Sequence, residues 1–479
     1  MTDRWKPSRK HQKQYPHFDK PLSLGELADI ANDPQRVAAN AFFPFIQFKK
    51  SWIPFRADGT QKPKERLIRF ACRRDSAIFS RYRAFLSDLY EAQLEARDIS
   101  DSVLAYRRIP LSPDSRGGKC NIHFAKEAFE SIQGLETCCA VVMDISKYFD
   151  NIDHERLKLC WAGLLSCPSL PDDHYAVFKA LTQYRWVERD QAYLALEFER
   201  RKSGFKVPKG LKQLCAPIKF RERIAAAGLI QINENNYGIP QGAPLSDVLA
   251  NLYLLQFDIE ISAWVKRQGG VYRRYSDDIL MVLPGGFEEG QAAFQFASRA
   301  IKGYGPELEI KKEKTSIVRY FPLAKGQGFE CMNDSKGKNG LEYLGFRFDG
   351  RRVYLRDSTV SRYYRKMTFY CRLEAIGLVK RFPGKSLEFL QGKVNIEEID
   401  KKYGRVEGFD PKNARKWTFW TYARRAGEIF GDMGRPIVKQ VRGYRAFLRS
   451  QMAIEINRQF VRRGAHFKPD NLQSKKCFR

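Results

Sequence analysis

Val271-Tyr272-Arg273-Arg274-Tyr275-Ser276-Asp277-Asp278-Ile279-Leu280-Met281-Val282-Leu283 is the stretch on which the fold turns. Its two ends read as strands, and the unbroken apolar run Ile279–Leu283 can only be buried. Tyr275-Ser276-Asp277-Asp278 between them is a tight hairpin turn carrying two adjacent carboxylates. Asp is common in turns because its side chain bonds its own backbone, so this stretch alone describes a solvated surface turn.

A second run changes that reading. Cys138-Cys139-Ala140-Val141-Val142-Met143 is short and apolar and ends on Asp144, which sets a carboxylate at the edge of a buried strand. An unpaired charge there is costly. The cost falls when Asp144 and Asp277 share a divalent cation, since carboxylate and phosphate oxygens together make the usual magnesium site. Two strand-end carboxylates converging on a metal pair have the geometry of two-metal phosphoryl transfer.

Four segments in order then carry a resemblance. Asp144-Ile-Ser-Lys-Tyr-Phe149-Asp150, Gly238-Ile-Pro-Gln-Gly-Ala-Pro-Leu-Ser246, Tyr275-Ser-Asp-Asp278 and Leu341-Glu-Tyr-Leu-Gly345-Phe346 resemble the successive palm motifs of reverse transcriptases. The Leu249-Ala250-Asn251 that follows Ser246 is typical of the bacterial retron, group II intron and defence-associated branch. Within it the chain looks most like the defence-associated (abortive-infection, "unknown group") enzymes, and unlike retroviral ones.

The resemblance implies an α/β right-hand polymerase with fingers, an RRM-like palm, a helical thumb and a further helical C-terminal region. It divides the chain into an N-terminal extension (1–60), fingers and palm (61–350) and a thumb with a basic C-terminal domain (351–479). It implies RNA-directed DNA synthesis from dNTPs, with two Mg²⁺ ions, or Mn²⁺ in their place, held by the catalytic Asp144, Asp277 and Asp278. On the nucleotide side it assigns Arg66 to the triphosphate, Phe149 beneath the sugar and Gln241 against the nascent base pair. Lys314 falls where such enzymes protonate the departing pyrophosphate. A ring at Phe149 clashes with a ribose 2′-hydroxyl, which implies DNA rather than RNA precursors. Gly242, Ser246 and Gly345 fall on the template and primer side.

The implied partners are a dedicated non-coding RNA as template, the DNA product and a second copy in a homo-oligomer. The implied setting is antiviral defence in the bacterial cytoplasm. Alternatives within the resemblance are a retron enzyme making branched RNA–DNA and a template-independent or protein-primed DNA polymerase. An RNA-binding scaffold with a dead palm is the non-enzyme alternative, and the intact carboxylates argue against it.

Composition agrees with a polyanion as partner. The 479 residues carry 84 Lys and Arg against 55 Asp and Glu, a net charge of +29. Solubility of a small domain needs only ~2–8 charges. Such an excess attracts nucleic acid and gains affinity by displacing counterions from phosphates. The ten cysteines include no C-x-x-C pair, so neither a zinc site nor a disulfide framework is legible, and a reducing compartment is expected. No apolar run reaches the ~18 residues of a membrane span, so no membrane association is expected.

Around the motifs, Leu22–Ala39 reads as two short helices broken at Asn32-Asp33-Pro34, and Lys62–Arg74 as a basic strand leading into a long helix from Asp75 to Glu95. Asp153 should cap a helix through Leu157 and Trp161. The spacing from Asp144 to Gly238 is long for the family and implies an insertion between residues 165 and 236. Within it, Arg201–Leu214 is a basic, Gly- and Pro-punctuated loop that either touches template or is exposed and flexible. Lys380–Val406, with Pro383-Gly384, reads as a linker between a thumb helix and a last helical unit whose core includes Trp417 and Phe419.

The charge excess makes a first prediction. RNA affinity measured by fluorescence anisotropy should fall on the order of 10³-fold between about 50 and 200 mM salt. An affinity flat across that range would contradict the electrostatic reading.

Overall fold

In the computed structural model, which describes residues 4–53, 63–115, 117–201, 204–332, 338–404 and 418–464, the apolar runs become the strands that their burial requires. Lys62 and Trp417, given roles above, lie outside these residues. The chain divides into two compact units. The first comprises Met1–Gly118, Thr137–Arg319 and Met332–Lys336, and the second Lys119–Glu136, Tyr320–Cys331 and Gly337–Arg479.

In chain order the main strands of the first unit are β1 (Phe45–Trp52), β2 (Lys64–Phe70), β3 (Cys138–Asp144), β4 (Arg185–Glu188), β5 (Gln231–Ile232), β6 (Val271–Tyr275), β7 (Asp278–Pro284) and the Ser316–Arg319 part of β8 (Ser316–Pro322). They sort into two sheets, β2-β1-β4-β5 and a second sheet in which β8-β3-β7-β6 run side by side. β3 and β7 are antiparallel, from Cys138 opposite Pro284 to Asp144 opposite Asp278. β6 and β7 form the expected hairpin, with Tyr275 opposite Asp278. The register therefore carries both acidic strand ends to the same edge of the sheet.

Helices Ser246–Tyr253, Leu255–Arg267 and Phe287–Lys302 bury their apolar stripes in the core that includes Cys139, Val141, Met143, Ile279, Met281 and Leu283. Asp153 caps the helix His154–Leu164, its Oδ1 accepting from Arg156 N at 2.8 Å. Two short helices, Leu24–Ala31 and Pro34–Ala38, start from Ser23 and Asp33 caps.

The insertion is structural. β4 and β5 extend the sheet of β1 and β2, and Val187, Leu214 and Ile224 share a small core with Phe18 and Ile46. The Arg201–Leu214 segment is tied down at its end rather than free. Leu214 N donates to His17 O (2.8 Å), and the Lys212 carbonyl accepts from Arg73 Nη2 (2.5 Å).

The second unit packs the helix Asn121–Gly134, the three-stranded meander Leu341–Tyr343, Phe346–Phe348 and Val353–Leu355, and helices from Asp357 to Gly464. Phe129 stacks on Phe348 with ring centroids 5.0 Å apart, and Phe346 meets Phe430 edge-on at 5.0 Å. Of the expected linker Lys380–Val406, the described residues up to Gly404 are largely helical instead, with helices Leu387–Gly392 and Ile396–Tyr403. Ser386 and Asn395 cap them by accepting from Phe389 N and Glu398 N, which supplies the local start that few apolar residues could not. Among the described residues no single helix is long and apolar enough to cross a membrane.

One buried ion pair locks the hairpin to the helix beneath it. Arg274 on β6 and Asp258 on Leu255–Arg267 are both 0% exposed. Nε donates to Asp258 Oδ1 at 2.7 Å and Nη2 to Oδ2 at 2.6 Å. Tyr272 Oη donates to the same carboxylate at 2.7 Å. Burial works against the guanidinium charge, and the facing Asp258 carboxylate outweighs it, holding Arg274 protonated far above its ordinary value.

Removing one partner would leave the other charge buried and alone. Asp258→Ala should therefore cost about 3–5 kcal/mol in urea unfolding. A loss under about 1 kcal/mol would show that the pair does not brace the hairpin.

Candidate active site

The acidic turn is built from below. Ser276 adopts a left-handed conformation (φ 61°), unusual for a residue with a side chain. Its carbonyl accepts from Arg274 Nη1 at 3.0 Å, the same nitrogen that donates to Asn251 Oδ1 at 3.2 Å. Asn251 in turn donates to the Ala105 carbonyl at 2.8 Å. From the other side, Tyr106 Oη and Ser276 Oγ are 2.9 Å apart, and Arg83 Nη2 donates to the Tyr106 carbonyl while its guanidinium pairs with Asp247. The strain at Ser276 is held by its bonds to the buried Arg274 and to Tyr106.

On this frame Asp277 and Asp144 come together. Ile145 N donates to the Asp277 carbonyl at 2.9 Å, which fixes the turn against the end of β3. Burial raises the Asp277 carboxyl above its ordinary range, and the negative charge of Asp144 adds to the rise. Asp278 stands opposite Asp144 in the register. Lys314 Nζ lies 2.5 Å from Asp144 Oδ2 and 3.3 Å from Ser146 Oγ, a cation seated on the first carboxylate.

Among the described residues no three or more His, Cys, Asp or Glu side chains converge to cage a metal. The protein offers oxygen ligands, two of them mutually repelling, and a lysine ammonium already marks one as a cation's place. That donor set fits a hard divalent ion whose remaining positions go to water and phosphate oxygens, as magnesium prefers.

The residues assigned to the nucleotide surround this edge unevenly. Arg66 is exposed on β2, and its charge reaches Asp277 and Asp150. Phe149 is half-buried and packs against the main core beside Tyr148. The loop from Gly238 to Gly242 is fastened at both ends. Ile239 N donates to Phe149 O (2.9 Å) and Gly238 N to Ile152 O (2.8 Å), while the Gln241 carbonyl accepts from Arg69 N (2.9 Å).

Gly242 has φ 114°, and a Cβ there would lie 2.5 Å from the Arg69 carbonyl oxygen, so only glycine fits. Ser246 is buried at the start of its helix and donates to the Pro240 carbonyl at 2.8 Å, a loop-closing role. Gly345 belongs to the second unit, at the turn between Leu341–Tyr343 and Phe346–Phe348 with φ 93°.

Three contributors were not singled out from the sequence: Arg274, Tyr106 and Arg69. Arginines are frequent in this chain, and nothing local distinguishes a buried one. The visible signal for Arg274 was its place in the strand beside the acidic turn.

Carboxylates from neighbouring strands, a lysine on one of them and a basic strand nearby define a site of the phosphoryl-transfer class. Residues 110–348 match the family model "Reverse transcriptase (RNA-dependent DNA polymerase)". No curated protein sequence matches the chain.

Among solved structures, apo telomerase from Candida tropicalis truncated from its C-terminal domain aligns with a TM-score of 0.38 and 11% identity, covering 70% of this chain and 61% of that one. Telomerase from Candida albicans in complex with a TWJ fragment of telomeric RNA aligns with a TM-score of 0.37 and 13% identity, covering 94% and 66%. This chain thus spans less than two thirds of either telomerase chain, and likenesses this distant carry no weight for activity.

The loop geometry is testable on the folded protein. Gly242→Ala should cost about 1–3 kcal/mol and speed amide exchange at Arg69. Unchanged exchange at Arg69 would contradict the close approach.

Proposed function

We propose that this chain is an RNA-directed DNA polymerase that extends a 3′ end with dNTPs on a dedicated non-coding RNA, acting in the bacterial cytoplasm in defence against phage. The observation that carries the reading is the meeting of Asp144 and Asp277, from strands far apart in sequence, beside Lys314. In this reading Asp144 and Asp277, with Asp278 beside them, hold two Mg²⁺ ions, for which Mn²⁺ substitutes. Bound there, the ions stabilise charge on the attacking 3′ oxygen and the leaving pyrophosphate.

The chain's own residues do the rest. Arg66 offers paired hydrogen bonds to the triphosphate. Phe149 lies under the sugar and rejects a 2′-hydroxyl. Gln241, in the fastened loop, bears on the nascent base pair, and Gly242 lets the backbone come close to it. Ser246 holds the loop closed. Lys314, seated beside Asp144, would donate a proton to the departing pyrophosphate. Gly345 shapes the turn of the primer grip. The basic helices of the second unit, with Arg424, Lys439, Arg442 and Arg449, supply phosphate contacts, and the +29 charge supports an RNA partner. A homo-oligomer is part of the proposal.

Primer extension on a homopolymer RNA template with Mg²⁺ tests the activity. Asp277→Ala with Asp278→Ala should reduce it on the order of 10³-fold or more and abolish phage resistance in cells. Retained extension would sink the catalytic assignment, and retained resistance the link between synthesis and defence.

A further inference from the structure

Arg69 sits three residues beyond Arg66, so strand alternation turns it to the opposite face of β2. It is 7% exposed. Among the described residues its guanidinium donates no hydrogen bond and forms no ion pair, and Nε is wholly enclosed without a partner. Its Cζ lies 4.6 Å from the ring centroid of Tyr184 and 5.1 Å from that of Trp186. These contacts hold the guanidinium by its π-face and leave its donors unused.

Gln47, opposite Arg69 on β1 and 4% exposed, has an enclosed Oε1, and Trp186 an enclosed Nε1, that find no partner among the described residues. Asp150 and Glu188 act on Arg69 only through space, and Glu188 already accepts from Gln47 Nε2.

The fold treats its other enclosed guanidiniums differently. Arg274 is saturated by Asp258, Asn251 and Ser276. Arg73, 4% exposed, bonds Asp19 and the carbonyls of Lys13, Tyr15 and Lys212. A buried charge without hydrogen bonds is costly, and native proteins keep such groups where a ligand completes them. Arg69 also lies at the proposed nucleotide site. Its amide holds the Gln241 carbonyl, and the Asp150 that acts on it follows Phe149 directly.

We propose that Arg69, oriented by Tyr184 and Trp186, is a phosphate-binding residue whose free N–H fork takes the oxygens of a phosphate ester. A planar fork with unused donors matches a phosphate in two-point contact. The identity of the ester rests on the polymerase reading above: it belongs either to the template strand or to the incoming nucleotide.

Binding separates the two sources without requiring synthesis. The full chain, wild type and Arg69→Gln, is titrated with a single-stranded RNA oligonucleotide over a range of salt and, separately, with dTTP and Mg²⁺. A loss of RNA affinity of about tenfold or more, with about one unit taken from the log–log salt slope and dTTP binding intact, assigns the phosphate to the template. A similar loss for dTTP alone assigns it to the nucleotide.

Both affinities within about twofold of wild type, with a lowered unfolding midpoint, would overturn the proposal and leave Arg69 as packing. Should Arg69→Gln not fold, Arg69→Lys keeps the charge and loses the fork, and wild-type affinity for both ligands in that variant overturns the proposal equally. Absence of DNA synthesis by the wild type, together with Arg69-dependent RNA affinity, supports the phosphate site and removes the polymerase reading instead.

Discussion

The acidic edge of this protein depends on a guanidinium that never meets water. Arg274 spends its bonds on the Asp258 carboxylate beneath the sheet, on Asn251 and on the carbonyl of Ser276, the residue whose left-handed backbone makes the turn possible. A surface ion pair would hold the turn loosely, since exposed pairs contribute roughly 0–1 kcal/mol. A fully enclosed and fully bonded pair gives the turn a single geometry, because any rearrangement leaves a charge unpaired. The tight hairpin, the alignment of Asp277 against β3 and the approach of two like charges all follow from it.

The second constraint is the fastening of the Gly238–Gly242 loop. Bonds on one side to Phe149 and Ile152, and on the other to Arg69, make the loop a strap between the turn after β3 and strand β2. Gly242 is the point of closest backbone approach, so the strap tolerates no side chain there. The residues assigned to sugar, base pair and triphosphate are thereby related through main-chain bonds, which are short and directional, rather than through flexible side chains.

Much of this was legible before any coordinates. The apolar runs Cys138–Met143 and Ile279–Leu283 announced buried strands, and their acidic ends announced the sheet edge at which Asp144 and Asp277 approach each other. The cap at Asp153 marked a helix start correctly, and the break at Asn32-Asp33-Pro34 separated two short helices as expected. The supports were not legible. Arg274 and Arg69 look alike in the sequence, both basic residues in basic strands, and only tertiary partners show that one is saturated and the other is not. The region 387–403 misled because Pro383-Gly384 and weak apolar periodicity outweighed the caps at Ser386 and Asn395. Lys212 and Leu214, at the end of the 201–214 loop, are anchored by the Arg73 guanidinium and the His17 carbonyl, long-range partners that no local pattern announces.

The central claim is that Asp144 and Asp277 jointly bind a divalent cation. Titration of the full chain with Mn²⁺, followed by electron paramagnetic resonance, addresses it without nucleic acid or turnover. The account predicts saturable Mn²⁺ binding by the wild type that is lost in both Asp144→Asn and Asp277→Asn, with the folded state preserved. Binding that survives either substitution unchanged would contradict it.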